Sequence, residues 1–190
     1  RDYGGLVRQL GHDPEDFTRN LIEAEGGVEN AKPVFTPATD VDGGYTGRGN
    51  DNEWGVKYAG YLASIMDHNF NLIHAEYDRA VIGEYAGAVT AIGRDKVTEF
   101  WVGQRSSFPD ATFQRHPQIG MDADMLSPRA AIRWSLDGTH SGWGSFGKPS
   151  GAKVHVFGMS HAEFGPWGLR REFSLYDEVA IWKQILMAAG

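Results

Sequence analysis

The segment 131–184 constrains the fold of this chain most, because its residue pattern changes from strand to helix at a single position. Apolar and polar residues alternate over 131–138, which is the period of a half-buried strand. Similar alternation predicts strands at 153–164 and 169–176, set off by stretches rich in Gly and Pro. From Asp177 onward the apolar residues follow helical spacing behind an acidic residue suited to a helix start. The segment therefore predicts antiparallel strands followed by a C-terminal helix.

The chain before this segment supplies helices and a shorter hairpin. Apolar residues at helical spacing predict helices at 53–66, 70–78 and 93–102, a hairpin at 80–92 and a strand region at 111–125. This order predicts an α+β domain in which a curved antiparallel sheet wraps around N-terminal helices. Such a sheet forms a cone with an internal pocket, and apolar pockets with few polar groups are the usual ligand sites.

Residues 1–52 lack a continuous apolar pattern and are predicted to form an N-terminal arm and linker, whereas residues 53–190 form the cone domain. A helix is expected to begin near Asp13 and to end before Gly26. The glycine run after residue 42 lacks the Gly-Lys-Ser/Thr ending of a phosphate loop and indicates a linker. We therefore expect the cone domain to fold without the arm.

The two ends of the chain have similar sequences. Residues 1–11 can be aligned with residues 176–186, which matches Asp2 with Asp177 and apolar positions with apolar positions. One interpretation is that the opening residues are the tail of a preceding, similar domain in a tandem protein. The alternative is a chance similarity between two short amphipathic helices.

Composition excludes several classes of partner. The chain has 18 basic and 25 acidic side chains, a formal net charge of −7 and no basic cluster, which disfavours a nucleic-acid partner. Cysteine is absent, so disulfides, thiolate nucleophiles and Cys-ligated zinc are excluded. No apolar run approaches the length of about 18 residues that a membrane span needs. We expect a cytoplasmic protein, since the sequence carries no signal peptide.

Seven histidines are present, but none forms the i, i+4 pair of a helical zinc site. No nucleotide-binding motif or Ser-His-Asp arrangement stands out. The sequence therefore predicts neither a metal nor a cofactor.

Four short motifs resemble those of a known family. They are Ser107-Phe108-Pro109-Asp110, Gly138-Thr139-His140-Ser141-Gly142, Gly147-Lys148-Pro149-Ser150-Gly151 and Glu172-Phe173-Ser174-Leu175-Tyr176-Asp177. Together they resemble the SnoaL-like polyketide cyclases (ester cyclases) of the nuclear transport factor two-like superfamily. The resemblance runs from about residue 53 to residue 184, and it implies the cone fold.

The resemblance implies cofactor-independent, aldol-type acid/base chemistry on a hydrophobic carbonyl compound, with Asp177 as the acid/base. By strand alternation Asp177 shares a face with Phe173 and Leu175, which would desolvate its carboxyl and raise the pKa. The alternative is that Asp177 only caps the last helix.

Three further residues are candidate catalytic partners of Asp177. His140 lies in the Gly-Thr-His-x-Gly turn, expected at the pocket rim, although a turn-stabilising role is the alternative. His161 and Glu163 share a strand face and could reach the same cavity. Glu163 stands where the family usually carries His or Arg, and a second carboxylate would repel charge on Asp177.

Large side chains are the candidate ligand contacts, with core packing as the alternative for the aromatic ones. These residues are Trp101, Trp134, Trp143, Phe157, Arg171, Phe173 and Leu175.

Three functions stay open. The first is a cyclase-like lyase or isomerase, and the second is a non-catalytic module for small-molecule binding or dimerisation. The third is an epoxide or ester hydrolase, for which Arg171 with Asp177 supplies only part of an Asp-Arg-Asp set. We also expect a two-fold homodimer through the sheet, burying about 1,500 Å² with Arg133 at its rim. Both sheet faces look partly apolar, with Val154, Val156 and Phe164 assigned to the outer one.

Overall fold

The structure is a computed structural model, and it describes residues 2–32, 36–39 and 49–189. Most of the glycine run in the predicted linker, residues 40–48, lies outside these described residues. The bounds of the elements are α1 Tyr3–Gln9, α2 Pro14–Ala24, α3 Glu53–Met66, α4 Asn71–Glu76, β1 Tyr77–Tyr85, β2 Val89–Ile92, α5 Arg94–Ser107, β3 Thr112–Met121, β4 Arg129–Thr139, β5 Lys153–Gly165, β6 Gly168–Tyr176 and α6 Glu178–Ala189.

The described strands form a six-stranded sheet in the order β2-β1-β6-β5-β4-β3. Neighbouring strands pair in antiparallel fashion except β1 and β6, which run parallel. The sheet is curved and open, with helices packed against it, so the predicted α+β class is confirmed. The parallel pair differs from the expected all-antiparallel sheet, because the first long strand of the domain comes to lie beside the last.

One face of the sheet carries the core. Helix α3 packs on β3 and β4, and α5 packs on β1 and β2. Side chains that point inward alternate with side chains that point outward along β4, β5 and β6, as strand geometry requires. The inward set is Ala130, Ile132, Trp134, Leu136, Val154, Val156, Ser160, Ala162, Phe164, Glu172, Ser174 and Tyr176, all of them buried.

A side-chain amide closes the edge strand β3. The Nδ2 of Asn50 donates to the carbonyl of Gly120, and the Gly120 N–H donates to Asn50 Oδ1, both at 2.9 Å. The Asn50 N–H also donates to the carbonyl of Gln118 at 3.0 Å. Asn50 therefore pairs with β3 as one residue of a neighbouring strand would.

The N-terminal helices dock on the cone through α6. The carboxylate of Glu178, in the first turn of α6, accepts from Arg8 at 2.5 and 2.7 Å. The ammonium of Lys183 lies 2.7 Å from both carboxylate oxygens of Glu25, at the end of α2. The arm is thus tied to the domain by two ion pairs, and its separability at residue 52 stays a prediction.

A glutamate occupies the centre of the core. The Oε1 of Glu172 accepts from the hydroxyls of Tyr58 at 3.0 Å and Tyr77 at 2.8 Å. Its Oε2 accepts from the hydroxyl of Tyr85 at 2.6 Å and from the indole N–H of Trp101 at 3.0 Å. The donors come from α3, β1 and α5, so a single carboxylate on β6 joins four elements of the fold.

The Glu172 carboxylate is fully buried, and its hydrogen-bond donors are all neutral side chains. Burial raises its pKa, and the hydrogen bonds, that of Tyr85 foremost, oppose the rise. A buried charge is expensive unless it is hydrogen-bonded, and here every lone pair has a donor. In the place where the sequence predicts an internal pocket, aromatic side chains therefore pack around Glu172.

Replacing Glu172 with alanine should lower the free energy of unfolding by about 3–5 kcal/mol, because four buried donors lose their acceptor and a cavity is left. Urea denaturation followed by tryptophan fluorescence measures this loss. A change within about 0.5 kcal/mol, the range of an ordinary surface substitution, would contradict the central role of this carboxylate.

The Glu172→Gln variant tests the pH dependence of the same group. Folding raises the pKa of Glu172 above its value in the unfolded chain, which is about 4.5. The protonated carboxyl therefore contributes its full stabilisation below pH 4.5, and this contribution is lost as the pH rises through the pKa of the folded protein. The unfolding free energy of the wild type relative to Glu172→Gln should therefore fall as pH rises above about 4.5. A difference that is independent of pH would contradict the direction of the shift.

Candidate functional site

Asp177 lies at the start of α6. Its Oδ1 accepts from the backbone N–H of Ala180 at 3.0 Å, which is the geometry of a helix cap. Burial raises the pKa of its carboxyl, and the hydrogen bond from Ala180 opposes the rise. Phe173 and Leu175, which were expected to enclose it in a pocket, are each 40% exposed on the outer face of the sheet. The expectation that this face lines the internal pocket is therefore wrong.

His140 is buried inside the turn that follows β4. Its Nδ1 lies 3.0 Å from Ser150 Oγ, and its ring centroid lies 5.8 Å from that of Phe108. Its Nε2 has no hydrogen-bond partner among the described residues, and burial lowers the pKa of the imidazole. This placement fits the turn-stabilising alternative better than a position at a pocket rim.

His161 and Glu163 lie on the outer face of β5. The ring of His161 is 5.8 Å from that of Phe173 across the β5–β6 pair. Glu163 accepts from Arg170 Nε at 2.6 Å, and this hydrogen bond lowers the pKa of the carboxyl. The neighbouring residues of the strand, Ser160 and Ala162, point into the core instead. The assignment of His161 and Glu163 to an internal cavity is thus corrected.

The candidate ligand contacts divide in the same way. Trp101 and Trp134 are core residues, and Trp134 donates to Ser160 Oγ at 2.8 Å. Trp143 is 71% exposed in the loop after β4. The others, Phe157, Arg171, Phe173 and Leu175, lie on the outer face of the sheet. The structure therefore does not bring these residues together in one pocket.

The Phe-Pro-Asp turn and the Gly-Thr-His-x-Gly turn meet at one end of the sheet. Asp110, in the Phe-Pro-Asp turn, accepts from both the N–H and the hydroxyl of Thr139 at 2.7 Å. These two hydrogen bonds lower the pKa of the Asp110 carboxyl. The Gly142 N–H donates to the carbonyl of Ser107. The motifs thus join the end of α5 to the loop after β4, which explains why they indicate the fold.

A cavity of about 640 Å³ lies beside this junction. It is bounded by the end of β4, the start of β5, the last turns of α6 and residues 36–37. The lining residues are Thr36, Pro37, Asp110, Asp137, Gly138, Lys153, Val154, His155, Gln184, Met187 and Ala188. This volume is within the usual range for ligand sites, about 300–1,000 Å³.

A carboxylate–imidazole pair forms part of the cavity wall. The Nδ1 of His155 lies 2.6 Å from Asp137 Oδ1, and the two residues face each other in the β4–β5 register. The His155 side chain is 4% exposed and that of Asp137 is 33% exposed. An imidazole held at Nδ1 by a carboxylate has its tautomer and orientation fixed, which is the arrangement of a general base and its orienting group.

Helix α6 holds the backbone of His155 in place. Strand β6 ends at Tyr176, opposite Gly158, so it does not reach His155. The side chain of Gln184 takes its place, because its Oε1 accepts from the His155 N–H at 2.8 Å and its Nε2 donates to the His155 carbonyl at 2.9 Å. The pair is therefore built on rigid elements.

The Asp137–His155 pair was not predicted from the sequence. Both residues were visible as polar members of alternating strands, but their contact depends on the register across a long loop. A two-residue turn would have fixed that register, and residues 140–152 do not form one. Predicting the role of Gln184 would also have required the position of α6 relative to β5.

Two negative findings apply to the described residues, 2–32, 36–39 and 49–189. No group of three or more His, Asp or Glu side chains there is arranged to hold a metal ion. No helix in these ranges is long and apolar enough to cross a membrane.

Several solved structures share this fold. A protein from Jannaschia sp. CCS1, named as a SnoaL-like polyketide cyclase, aligns with a TM-score of 0.58 and 11% identity over 72% of this chain and 96% of its own. IdmH from Streptomyces antibioticus, named as a polyketide cyclase, gives 0.56 and 13% over 70% and 98%. A SnoaL-like polyketide cyclase from Agrobacterium tumefaciens gives 0.50 and 25% over 67% and 94%.

No protein-family model and no curated protein sequence matches the chain. The structural likenesses define its class as an α+β cone of the nuclear transport factor two-like type. Within that class, the resemblance to SnoaL-like polyketide cyclases that the sequence motifs indicated is confirmed at the level of the fold.

Substituting Asp177 tests its role as a helix cap. Asp177→Ala should lower the free energy of unfolding by about 0.5–2 kcal/mol, and Asp177→Asn should cost only a few tenths, because asparagine caps as well as aspartate. Thermal and urea unfolding of both variants measure this. Equal losses in the two variants would contradict the capping role.

Proposed function

We propose that this chain is an acid/base enzyme that acts, without a cofactor, on a small hydrophobic carbonyl compound, in the manner of a polyketide cyclase of lyase or isomerase type. The observation that carries the proposal is the Asp137–His155 pair in the wall of a cavity of about 640 Å³. The shared fold with proteins named as cyclases agrees with it.

Glu172, the carboxyl group at the centre of the core, is a poor alternative site. It is fully buried, and four donors occupy its oxygens. A base must accept a proton from substrate, and Glu172 could do so only after losing one of these hydrogen bonds. We therefore assign the chemistry to the cavity and not to the interior of the cone.

The residues of the cavity suit an aldol-type step. His155 would take a proton from the carbon next to the carbonyl and return it to the new alkoxide, while Asp137 stabilises the imidazolium in between. Lys153 lines the same cavity, and its ammonium would stabilise the developing oxyanion. Pro37, Val154 and Met187 supply apolar surface for the body of the substrate.

Hydrolysis is the second candidate chemistry, because an imidazole oriented by a carboxylate can also activate water against an ester. The epoxide-hydrolase arrangement expected from Arg171 and Asp177 has less support. Arg171 is exposed on the outer face of the sheet, whereas Asp177 caps α6.

The assay is a panel of diketones capable of intramolecular aldol closure, aryl esters and aryl epoxides, with products identified by mass. Cyclisation keeps the mass or loses water, whereas hydrolysis adds water. His155→Gln and Asp137→Asn should each lower kcat/KM by about 10²–10⁴-fold, the usual contribution of a positioned general base.

His74→Gln is the matched control, since His74 forms a similar pair with Asp95 at 3.5 Å on an exposed surface away from the cavity. Its activity should equal that of the wild type. If His155→Gln kept full activity on a substrate that the wild type converts, the proposed site would be wrong. If no member of the panel reacted, the non-catalytic binding module would be favoured.

We also propose a homodimer through the outer face of the sheet. The predicted outer apolar residues Val154, Val156 and Phe164 point into the core, so that part of the expectation is corrected. Apolar residues in adjacent rows of the sheet instead form an exposed patch on its outer face. They are Ile119, Met121, Met159, Phe173 and Leu175, each at least 40% exposed.

Register brings this outer patch together. Met159 lies between Arg133 and Leu175 in one row, and His161 lies beside Phe173 in the next. The guanidinium of Arg133 lies 4.9 Å from the ring centroid of Phe157, at the side of the patch. Contiguous exposed apolar surface of this kind is typical of an interface.

Met159→Glu should convert the dimer to monomer at low micromolar concentration, because it places a charge in the middle of the apolar contact. Light scattering coupled to gel filtration measures the mass. Ile92→Glu, at a still more exposed position on β2 outside the patch, should leave the dimer intact. A wild-type protein that is monomeric at high micromolar concentration would refute the dimer.

The cytoplasmic location stays a prediction from the sequence.

A further inference from the structure

A second cavity, of about 390 Å³, lies between the ends of α3 and α5 and the first half of β3. It shares no lining residue with the cavity that contains His155. Its walls are Ala63, Met66, Asp67, Arg105, Ala111, Thr112, Phe113 and Arg115. Two arginines and one aspartate leave it with a formal charge of +1, in a chain whose net charge is −7.

Arg105 is a buried cation without a carboxylate partner among the described residues. Only 3% of it is exposed, and its Nη1 donates to the carbonyl of Phe108 at 2.6 Å. Its Nη2 lies 3.3 Å from His68 Nε2 and 3.4 Å from the carbonyl of Pro109, and its Nε has no hydrogen-bond partner among the described residues. Burial lowers the pKa of the guanidinium, with Asp110 and Asp67 opposing. An anion nearby would offset that desolvation.

Arg115 supplies a second cation on the strand wall. It is exposed and pairs in register with Trp134, whose side chain points to the inner face of the sheet. The β3–β4 register shifts between Arg115 and Gln118, and such a bulge re-aims the side chains next to it. No hydrogen bond or ion pair links the Arg115 guanidinium to any residue in the described part of the chain.

We propose that this cavity binds a small apolar carboxylate, with Arg115 and Arg105 on the anionic group. The planar fork of a guanidinium matches a carboxylate, which makes this anion the best fit to arginine. Met66, Ala111 and Phe113 form the apolar part of the wall and would contact the body of the ligand. Asp67, on the same wall, limits the affinity by repelling the anion.

Binding of benzoate, compared with the neutral isostere benzamide, tests the proposal in isothermal titration calorimetry. Benzoate should bind and benzamide should not, and added salt should weaken the binding. Arg115→Gln should weaken benzoate about tenfold, the effect of losing one charge-assisted contact. Asp67→Asn should strengthen it, because a like charge is removed.

Arg79→Gln is the control, since Arg79 is an exposed arginine on β1 that does not line the cavity. It should leave the affinity unchanged. Arg105→Gln also removes the contacts to Phe108 and Pro109, and this variant could fail to fold for that reason alone. The test therefore uses the surface variants Asp67→Asn and Arg115→Gln. Absence of benzoate binding, equal binding of benzamide, or an unchanged affinity in Arg115→Gln would each overturn the proposal.

Discussion

The structure depends on the accommodation of one carboxyl group, that of Glu172, in the middle of an aromatic core. Glu172 would be prohibitively costly there without its donors, and those donors are carried by α3, β1 and α5. The helices and the sheet must therefore reach their final positions together for the carboxylate to be tolerated. The same packing surrounds Glu172 with side chains, and the two cavities described above, of about 640 and 390 Å³, lie at the periphery, between strand ends and helix ends.

Much of the fold could be predicted from local patterns, because periodicity and turn residues act over a few positions. The long strands and α6 begin and end within a few residues of where the sequence places them. The faces of β5 and β6 were assigned wrongly, because both alternating sets contain apolar residues. The more uniformly apolar set, including Val154 and Val156, was the better signal for the inner face. No local pattern could have predicted the surroundings of Glu172, since its donors lie 71 to 114 residues away in sequence.

In the candidate site, too, local motifs could be predicted from the sequence, whereas contacts between distant residues could not. The motifs that contain Asp110 and Thr139 were recognised in the sequence, and the structure brings them together at the end of the sheet where the cavity lies. The motif histidine, His140, is buried in the turn, whereas His155 gains its carboxylate only through strand pairing. The match between Asp2 and Asp177 has a physical explanation, because each accepts from the N–H three residues ahead at the start of a helix. Capping alone selects such residues at helix starts.

The amide of Asn50 has a consequence for how the sheet meets other molecules. A free edge strand is a template on which a foreign strand can add, and natural proteins block such edges. At Gly120 the backbone donor and acceptor of β3 are already occupied by one side chain. Conversion of Asn50 to aspartate by deamidation would replace the donor with a repelling oxygen and release the Gly120 carbonyl. Slow chemical ageing at a single residue would then leave the Gly120 carbonyl open to a foreign strand, while the Asn50 N–H still occupies the carbonyl of Gln118.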